Sequence, residues 1–268
     1  MQLLLFISFL LTACFNNSQP SDPIPAHDSF KIKSKILGET RTINIWTPEN
    51  YSKSKDSLPV MYMPDGGTKE DFPHIANTIA ELIKNKSIPP MILVGIENIQ
   101  RRKDLSGTTE VEEDKKIAPV IGGADKFRSF INEELFAEIN KKYRTTNKKG
   151  IIGESLAGLF IVETFFTKPD MFDYYIAMDP SLWWNNQYLV KNAKNYLAKF
   201  PTTDKRIWFA GSGATDINQY TNLLALIFKS EKNENIVWNY SDEPKEEHST
   251  IYRATKEKAL IWIFNPKK

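Results

Sequence analysis

The sequence predicts an α/β fold: a mostly parallel central sheet with an antiparallel N-terminal hairpin and helices on both faces. Residues 30–36 and 41–46 each alternate apolar and polar side chains, with Gly38 between them, which is typical of a hairpin. Residues 91–96 (MILVGI) form a continuous apolar run, as in a strand buried on both faces. After the hairpin, strand-like runs alternate with helical patterns, which favours a parallel sheet.

The elements follow in order along the chain. After the hairpin, the predicted strands are residues 59–65, 91–96, a run leading into Gly153, 174–178, 206–210 and 236–240. The predicted helices are residues 75–88, 125–143, a stretch after Ser155, 188–200, 217–229 and 250–264. Two long connections, residues 97–123 and 179–187, interrupt the alternation, and long loops in compact domains often carry function.

Composition limits the classes of function. The 268 residues are 41% hydrophobic and carry a net charge of +2, and no basic run is interleaved with aromatic residues, so no nucleic-acid partner is expected. Cys14 is the only cysteine, which excludes a disulfide framework and a cysteine-based metal site. We expect neither a metal nor a cofactor.

Residues 1–13 are apolar but shorter than the ~20 residues of a membrane-spanning helix, and they predict a signal peptide. Residues 11–14 (LTAC) resemble a bacterial lipobox, in which the cysteine is lipidated, although no Lys or Arg precedes the apolar run. The alternatives are an uncleaved anchor or a misassigned start. We expect an exported protein held to a bacterial membrane only by a lipid on Cys14, with a flexible tether over residues 14–28 and a catalytic domain over residues 29–268.

Residues 151–159 (IIGESLAGL) have the layout of a nucleophile elbow. Two β-branched residues lead into Gly153, Ser155 follows between small residues, and an apolar helical stretch comes next. Ala157 stands where the G-x-S-x-G pattern has its second glycine. The alternative is a Gly-Ser turn that only starts a buried helix.

A nucleophilic serine needs a base, and the base needs an acid that orients it. Of the three histidines, His27 lies in the tether and His74 precedes the serine, where we expect a surface residue. His248 follows the last predicted strand, which fits the chain order Ser, Asp/Glu, His. The predicted acid is Asp216, which also suits a helix N-cap. The alternatives are a dyad without an acid or one of three fallbacks: Glu231, Glu234 and Asp242.

Backbone N–H groups would supply the oxyanion hole. One belongs to Leu156, the residue after the serine, and the second to Gly66 or Gly67 in the turn after the third strand. An ordinary Asp-Gly turn is the alternative at that position.

With these motifs, the chain resembles the putative-esterase family of α/β-hydrolases over about residues 30–264. That family includes siderophore trilactone esterases, feruloyl esterases and S-formylglutathione hydrolases. Besides the elbow, the similarity includes residues 59–66, 98–104, 122–127 and 179–184, a combination specific to the siderophore-esterase-like branch.

The resemblance implies an α/β-hydrolase fold with Ser155 as nucleophile and His248 as base. It also implies that the loop with Trp183 and Trp184 borders the pocket. The segment that begins near Arg101 looks like the family's Arg-x-Arg-Asp motif, with Lys103 in place of the second arginine, which removes a bidentate fork. The family's acid varies in position, so the resemblance does not fix it.

The expected function is a serine carboxylic ester hydrolase that acts on a small-molecule ester through an acyl-enzyme, most like the siderophore (catecholate trilactone) esterases. Trp183 and Trp184 would stack on a ring or belong to the core. Arg101, Arg102 and Lys103 would attract an anionic ligand or form a solvated loop. A feruloyl or acetyl esterase of carbohydrates is the alternative enzyme, and a non-catalytic ligand-binding surface lipoprotein is the alternative outside catalysis. S-formylglutathione is a cytosolic substrate and does not suit an exported enzyme.

Overall fold

The computed structural model describes residues 22–265, so the predicted signal peptide and lipidation at Cys14 lie outside the described residues. The strands are β1 (Asp28–Lys33), β2 (Thr40–Trp46), β3 (Leu58–Met63), β4 (Ile92–Ile96), β5 (Thr145–Glu154), β6 (Tyr174–Met178), β7 (Lys205–Ser212) and β8 (Ile236–Glu243). The helices are α1 (Phe72–Lys84), α2 (Arg101–Leu105), α3 (Glu112–Ile117), α4 (Ala124–Ser129), α5 (Phe136–Lys142), α6 (Leu156–Thr167), α7 (Trp184–Ala198), α8 (Thr215–Ser230) and α9 (Ile251–Phe264).

The described strands form one sheet in the order β1-β2-β4-β3-β5-β6-β7-β8. β1 pairs with β2 and β2 with β4 in antiparallel fashion, whereas the pairs from β4 through β8 are parallel. The predicted α/β fold, with its N-terminal hairpin and mostly parallel sheet, is confirmed. Within residues 22–265, no helix is both long and apolar enough to span a bilayer.

The carboxyl ends of the parallel strands meet at one edge of the sheet. The register pairs Glu154 with Met178, Met178 with Ala210, and Ser212 with Glu243. The loops that follow β5, β6, β7 and β8 therefore meet at this edge, which is where open α/β sheets bind ligands.

Apolar side chains cover both faces of the sheet, as its continuous apolar strands predict. One cluster includes Phe127, Phe160 and Phe209, and the other includes Ile79 and Trp208. The long connection over residues 97–123 contains α2 and α3, which the sequence did not predict. The predicted helix over residues 125–143 is one continuous run from α4 to α5 with a π-helical middle, Phe130–Leu135.

Gly66 lies where two backbones come too close for any side chain. A Cβ built there would be 2.2 Å from the Ile96 nitrogen and 2.3 Å from the Gly95 Cα. We expect Gly66→Ala to lower the free energy of unfolding by about 3 kcal/mol or more, because backbone atoms of β4 would have to move. Urea unfolding measures this loss. The matched control is Gly38→Ala, where φ is +71° and no atom lies within 4 Å, so only about 1 kcal/mol of left-handed strain is expected. Equal losses at the two positions would contradict the close approach.

Candidate active site

Ser155 stands at the tip of a strained turn between β5 and α6. Its backbone has φ 60° and ψ −119°, and its N–H donates to the Met178 carbonyl at 3.0 Å. A Cβ on Gly153 would be 2.6 Å from the Ala157 Cβ, so glycine at the first position makes room for alanine at the second. Gly158 supplies the close approach to the next loop, since its Cβ would be 2.9 Å from the Met178 oxygen. Such strain commonly marks functional sites.

His248 reaches the serine from the loop between β8 and α9. Its Nε2 is 3.1 Å from Ser155 Oγ, and its Nδ1 is 2.6 Å from Asp179 Oδ2. Because a carboxylate only accepts hydrogen bonds, Nδ1 carries the proton and Nε2 is left to accept from the serine hydroxyl. This arrangement lets the imidazole remove the serine proton.

Asp179, and not Asp216, orients the imidazole, so the sequence prediction of Asp216 is wrong. Asp179 directly follows β6 and is fully buried, and its carboxylate also accepts from the Ser212 N–H at 2.6 Å and the Ser212 hydroxyl at 2.7 Å. Asp216 lies exposed in the first turn of α8, where a negative charge suits the helix dipole. Its negative charge raises the pKa of His248 less than the charges of Glu154 and Asp179 do.

Two carboxylates tune the base. The hydrogen bond that His248 donates to Asp179 is the largest cause that raises the pKa of His248 above its usual value. The negative charge of Glu154 also raises this pKa, and burial lowers it. Burial raises the pKa of Glu154 itself to about 7, opposed by the positive charge of His248 and reinforced by Asp71 and Asp179. Glu154 therefore changes charge near neutral pH, immediately before the serine in the chain.

We expect Glu154→Gln to move the acid limb of the kcat/KM profile to lower pH. His248 accepts a proton only when it is neutral, and the Glu154 carboxylate favours the charged imidazolium; removing that charge lowers the pKa of His248. The measurement is kcat/KM against pH on an activated aryl ester. Glu81→Gln, an exposed carboxylate on α1, is the control and should leave the limb in place. An acid limb that does not move in Glu154→Gln would show that this charge does not act on the base.

The three predicted oxyanion donors differ in whether their N–H groups already have an acceptor. Leu156 is the first residue of α6, so its N–H has no acceptor within the helix and is free to bind an anion beside Ser155. The Gly66 N–H donates to the Ile96 carbonyl at 2.9 Å as an extension of the β3–β4 pairing, which corrects its prediction. The Gly67 N–H donates to Glu70 Oε2 at 2.6 Å and is released only if that side chain turns away.

The predicted substrate contacts are partly engaged within the protein. Arg101 makes a bidentate ion pair with the buried Asp65, at 2.6 and 2.8 Å, so its charge is neutralised. Lys103 is half-buried, and its side chain packs against Gly123. The two indoles of the loop after β6 differ: Trp183 is half-buried, whereas Trp184 is 5% exposed and belongs to the core.

His74 is buried, which corrects the prediction of a surface residue. Its Nε2 is 3.1 Å from Asp71 Oδ1, and its ring packs edge-on against Tyr252 at 4.9 Å. Because it lies at the start of α1, His74 is buried where α1 packs against α9. In the described part of the chain, no three His, Cys, Asp or Glu side chains are grouped so that they could hold a metal ion.

Asp179 and Ser212 are the site residues that sequence reasoning missed. Asp179 is the first residue after the predicted strand over residues 174–178, and it opens the segment DPSLWW over residues 179–184. An acidic residue at the carboxyl end of the strand after the elbow was therefore a usable signal. Ser212 ends β7 with no pattern around it that marks a function.

Comparisons with known proteins identify the family of the chain. The family model described as "Putative esterase" matches residues 34–264. A ferri-bacillibactin esterase of Bacillus subtilis is 33% identical over 177 residues, which cover 60% of this chain and 61% of that protein. A siderophore triacetylfusarinine C esterase of Aspergillus fumigatus is 26% identical over 198 residues, which cover 65% of this chain and 62% of that protein. The chain thus spans about three fifths of the length of these two relatives.

The fold is shared with a solved structure of an IroE-like serine hydrolase from Shewanella oneidensis. The two superpose with a TM-score of 0.83 at 24% identity, over 89% of this chain and 80% of that chain. At this identity the likeness concerns the fold.

Proposed function

The chain belongs to the putative esterase family, and from that premise we propose that it is a serine carboxylic ester hydrolase that works through an acyl-enzyme. One observation carries the proposal: a continuous line of hydrogen bonds runs from Asp179 through His248 to Ser155, at 2.6 and 3.1 Å, and ends at the tip of the elbow. A buried acid, an imidazole of fixed tautomer and a serine hydroxyl within hydrogen-bond reach of that imidazole are what serine acyl transfer requires.

In the first step, Ser155 Oγ attacks the ester carbonyl while His248 Nε2 takes the hydroxyl proton. Asp179 stabilises the imidazolium that forms, and the carbonyl oxygen becomes an oxyanion that accepts from the Leu156 N–H at the start of α6. His248 then gives its proton to the leaving alcohol, and the acyl group stays on the serine.

In the second step, water takes the place of the alcohol. His248 removes a proton from the water, the resulting hydroxide attacks the acyl carbonyl, and the Ser155 oxygen leaves with the proton from His248. The Gly67 N–H joins Leu156 as a second oxyanion donor when the side chain of Glu70 rotates away from it.

For the substrate we propose a siderophore of the catecholate trilactone type. The support is that two relatives are named as a ferri-bacillibactin esterase and a siderophore triacetylfusarinine C esterase, and that the segment over residues 179–184, which begins at Asp179, carries the half-buried Trp183. The Ser181 N–H donates to the Ser155 carbonyl at 3.1 Å, so this segment is attached directly to the nucleophile.

The test is hydrolysis of a small panel by purified protein, followed by mass spectrometry of the products. We expect a catecholate trilactone to be opened with a higher kcat/KM than a feruloyl sugar ester or an acetylated sugar, with Ser155→Ala as the blank. A preference for the feruloyl or acetyl ester would contradict the proposed substrate class but would still support the proposed hydrolase activity. Turnover that is equal in the blank would refute the hydrolase.

We further propose that the chain is exported and anchored by a lipid on Cys14, on the support of the LTAC sequence over residues 11–14. The test is expression in a bacterium that processes lipoproteins, with fractionation and mass measurement. We expect the wild-type chain in the membrane fraction with an acyl mass increment and Cys14→Ser without it. Identical fractionation and mass for the two would reject the anchor.

A further inference from the structure

A cavity of about 370 Å³ lies beside the elbow, on the flank of α6. Leu159 lines it and donates its backbone N–H to the Ser155 carbonyl at 2.9 Å, so the cavity begins one helical turn from the nucleophile. Trp184 lines it too, and its backbone N–H donates to the carbonyl of Ser181, a residue that contacts Ser155. Two residues that line the cavity are therefore bonded through the backbone to Ser155 or to the adjacent Ser181, which places the cavity one helical turn along α6 from the nucleophile.

The wall of this cavity contains strained backbone. Asn185, Asn186 and Gln187 have φ of 48°, 54° and 57°, so three consecutive residues with side chains are left-handed. Asp114, which is buried, holds this turn: its Oδ2 accepts from the Asn185 N–H and from the Thr109 hydroxyl, both at 2.7 Å. A left-handed turn of this kind is retained only where the surroundings enforce it, and such strain gathers at ligand sites.

The charge of the cavity is negative. Asp125, which is 95% exposed, and Glu163, which is 22% exposed, line it, and among the described residues both pair with Arg128, at 3.1 and 2.9 Å. Two carboxylates against one guanidinium leave a net negative charge, which acts on a bound group mainly through Glu163 because solvent screens Asp125. The aromatic wall consists of Trp184 and the exposed Tyr188. Lys103, the basic residue predicted as an anion contact, does not line the cavity.

We propose that this cavity binds the non-reacting arm of the ester as an uncharged ring that carries hydrogen-bond donors, and that it disfavours an anionic arm. Carboxylates only accept hydrogen bonds, so the hydroxyl groups of a free catechol fit Glu163, whereas a catecholate bound to iron has lost those protons and carries negative charge. The inference rests on the proposed esterase function and deepens it: the enzyme selects the metal-free siderophore over its ferric complex.

The test uses a catecholate trilactone in metal-free and ferric forms, with p-nitrophenyl acetate as a reference substrate that has no arm. Kinetic constants are normalised to the fraction of protein that a fluorophosphonate labels. We expect the wild type to favour the metal-free form. In Glu163→Gln that preference should fall at least ~10-fold, mainly through KM, the size expected for a hydrogen bond to a charged group. Glu81→Gln, on α1, should keep the wild-type preference.

A second variant fills the cavity and keeps both carboxylates. A Cβ on Gly107 would lie 3.2 Å from Glu163 Oε1, so that flexible side chain shifts by a few tenths of an ångström, and the rest of the Gly107→Leu side chain can extend into the cavity. We expect the ratio of kcat/KM for the metal-free trilactone to that for the acetate to fall at least tenfold.

Each contrary outcome has its own meaning. A wild-type preference for the ferric form, an unchanged preference in Glu163→Gln, or an unchanged ratio in Gly107→Leu would overturn the assignment of the cavity. Loss of ferric turnover alone in Lys103→Ala would overturn it also, because it would place an anionic arm against that cation. Wild-type protein that hydrolyses neither the acetate nor the trilactone would instead refute the proposed function.

Discussion

Replacing Ser155 with alanine should lower kcat on an activated aryl ester by about a millionfold, as removal of the nucleophile does in serine hydrolases. The reason is geometric: Ser155 Oγ is the hydroxyl that His248 Nε2 contacts, at 3.1 Å, and without it no acyl-enzyme forms. The measurement is steady-state hydrolysis of p-nitrophenyl acetate under saturating conditions, with intact mass spectrometry during turnover to detect the acylated protein.

Ser181 provides the matched control for this prediction. Its hydroxyl is 3.4 Å from Ser155 Oγ, so it is the neighbouring serine that could take over as nucleophile. We expect Ser181→Ala to change kcat by less than about tenfold and to retain the acyl-enzyme, since His248 contacts Ser155. A millionfold loss of kcat in Ser181→Ala, with little change in Ser155→Ala, would identify Ser181 and not Ser155 as the nucleophile.

Replacing Asp179 with asparagine should lower kcat about ten thousandfold, the loss that follows when the orienting acid of a triad becomes an amide. An amide can donate to Nδ1, which favours the tautomer with its proton on Nε2, and that nitrogen then cannot accept from Ser155. Asparagine keeps the size of the buried side chain. Its Oδ1 can still accept from the Ser212 N–H, and the Ser212 hydroxyl can accept from the amide instead of donating, so the fold should be retained. Steady-state kinetics with circular dichroism as a check on folding measures the effect.

Asp216→Asn is the comparison that separates the two acids. Asp216 is exposed on α8 and only adds a weak charge effect at His248, so we expect a change of less than about tenfold in kcat. A small effect in Asp179→Asn together with a large one in Asp216→Asn would restore Asp216 as the orienting acid.

The orienting acid of the triad could not be predicted from the sequence. Ser155 sits in a local pattern, and elimination among three histidines leads to His248, so the two contacting residues are accessible from sequence. Asp179 and Asp216 both follow predicted strands, β6 and β7, and the choice between them depends on the backbone. Asp179 has φ of 45° and its N–H donates to the Ala210 carbonyl, which turns its side chain towards His248. No spacing in the sequence encodes that turn.

The fold could be predicted from the sequence more completely than the hydrogen bonds around the site. Period-two patterns and continuous apolar runs predict the hairpin and the buried strands, because each pattern reflects burial along a single segment. The backbone N–H of Gly66 donates to the Ile96 carbonyl, and that of Gly67 donates to the Glu70 side chain. The Arg101 guanidinium donates to Asp65. These hydrogen bonds join residues far apart in the sequence or depend on a side-chain rotamer. The local patterns that suggested the site, an Asp-Gly turn and a run of basic residues, therefore could not predict them.

The most direct test of the site is labelling with a fluorophosphonate, followed by intact mass and peptide mapping. The probe reports whether a serine hydroxyl is activated, whatever the natural substrate is. We expect one adduct per chain, on Ser155, with labelling at least ~10³-fold slower in His248→Ala. A chain that stays unlabelled, or that carries its adduct on another serine at the wild-type rate, would contradict the hydrolase and leave an α/β domain whose histidine and serine only share a hydrogen bond.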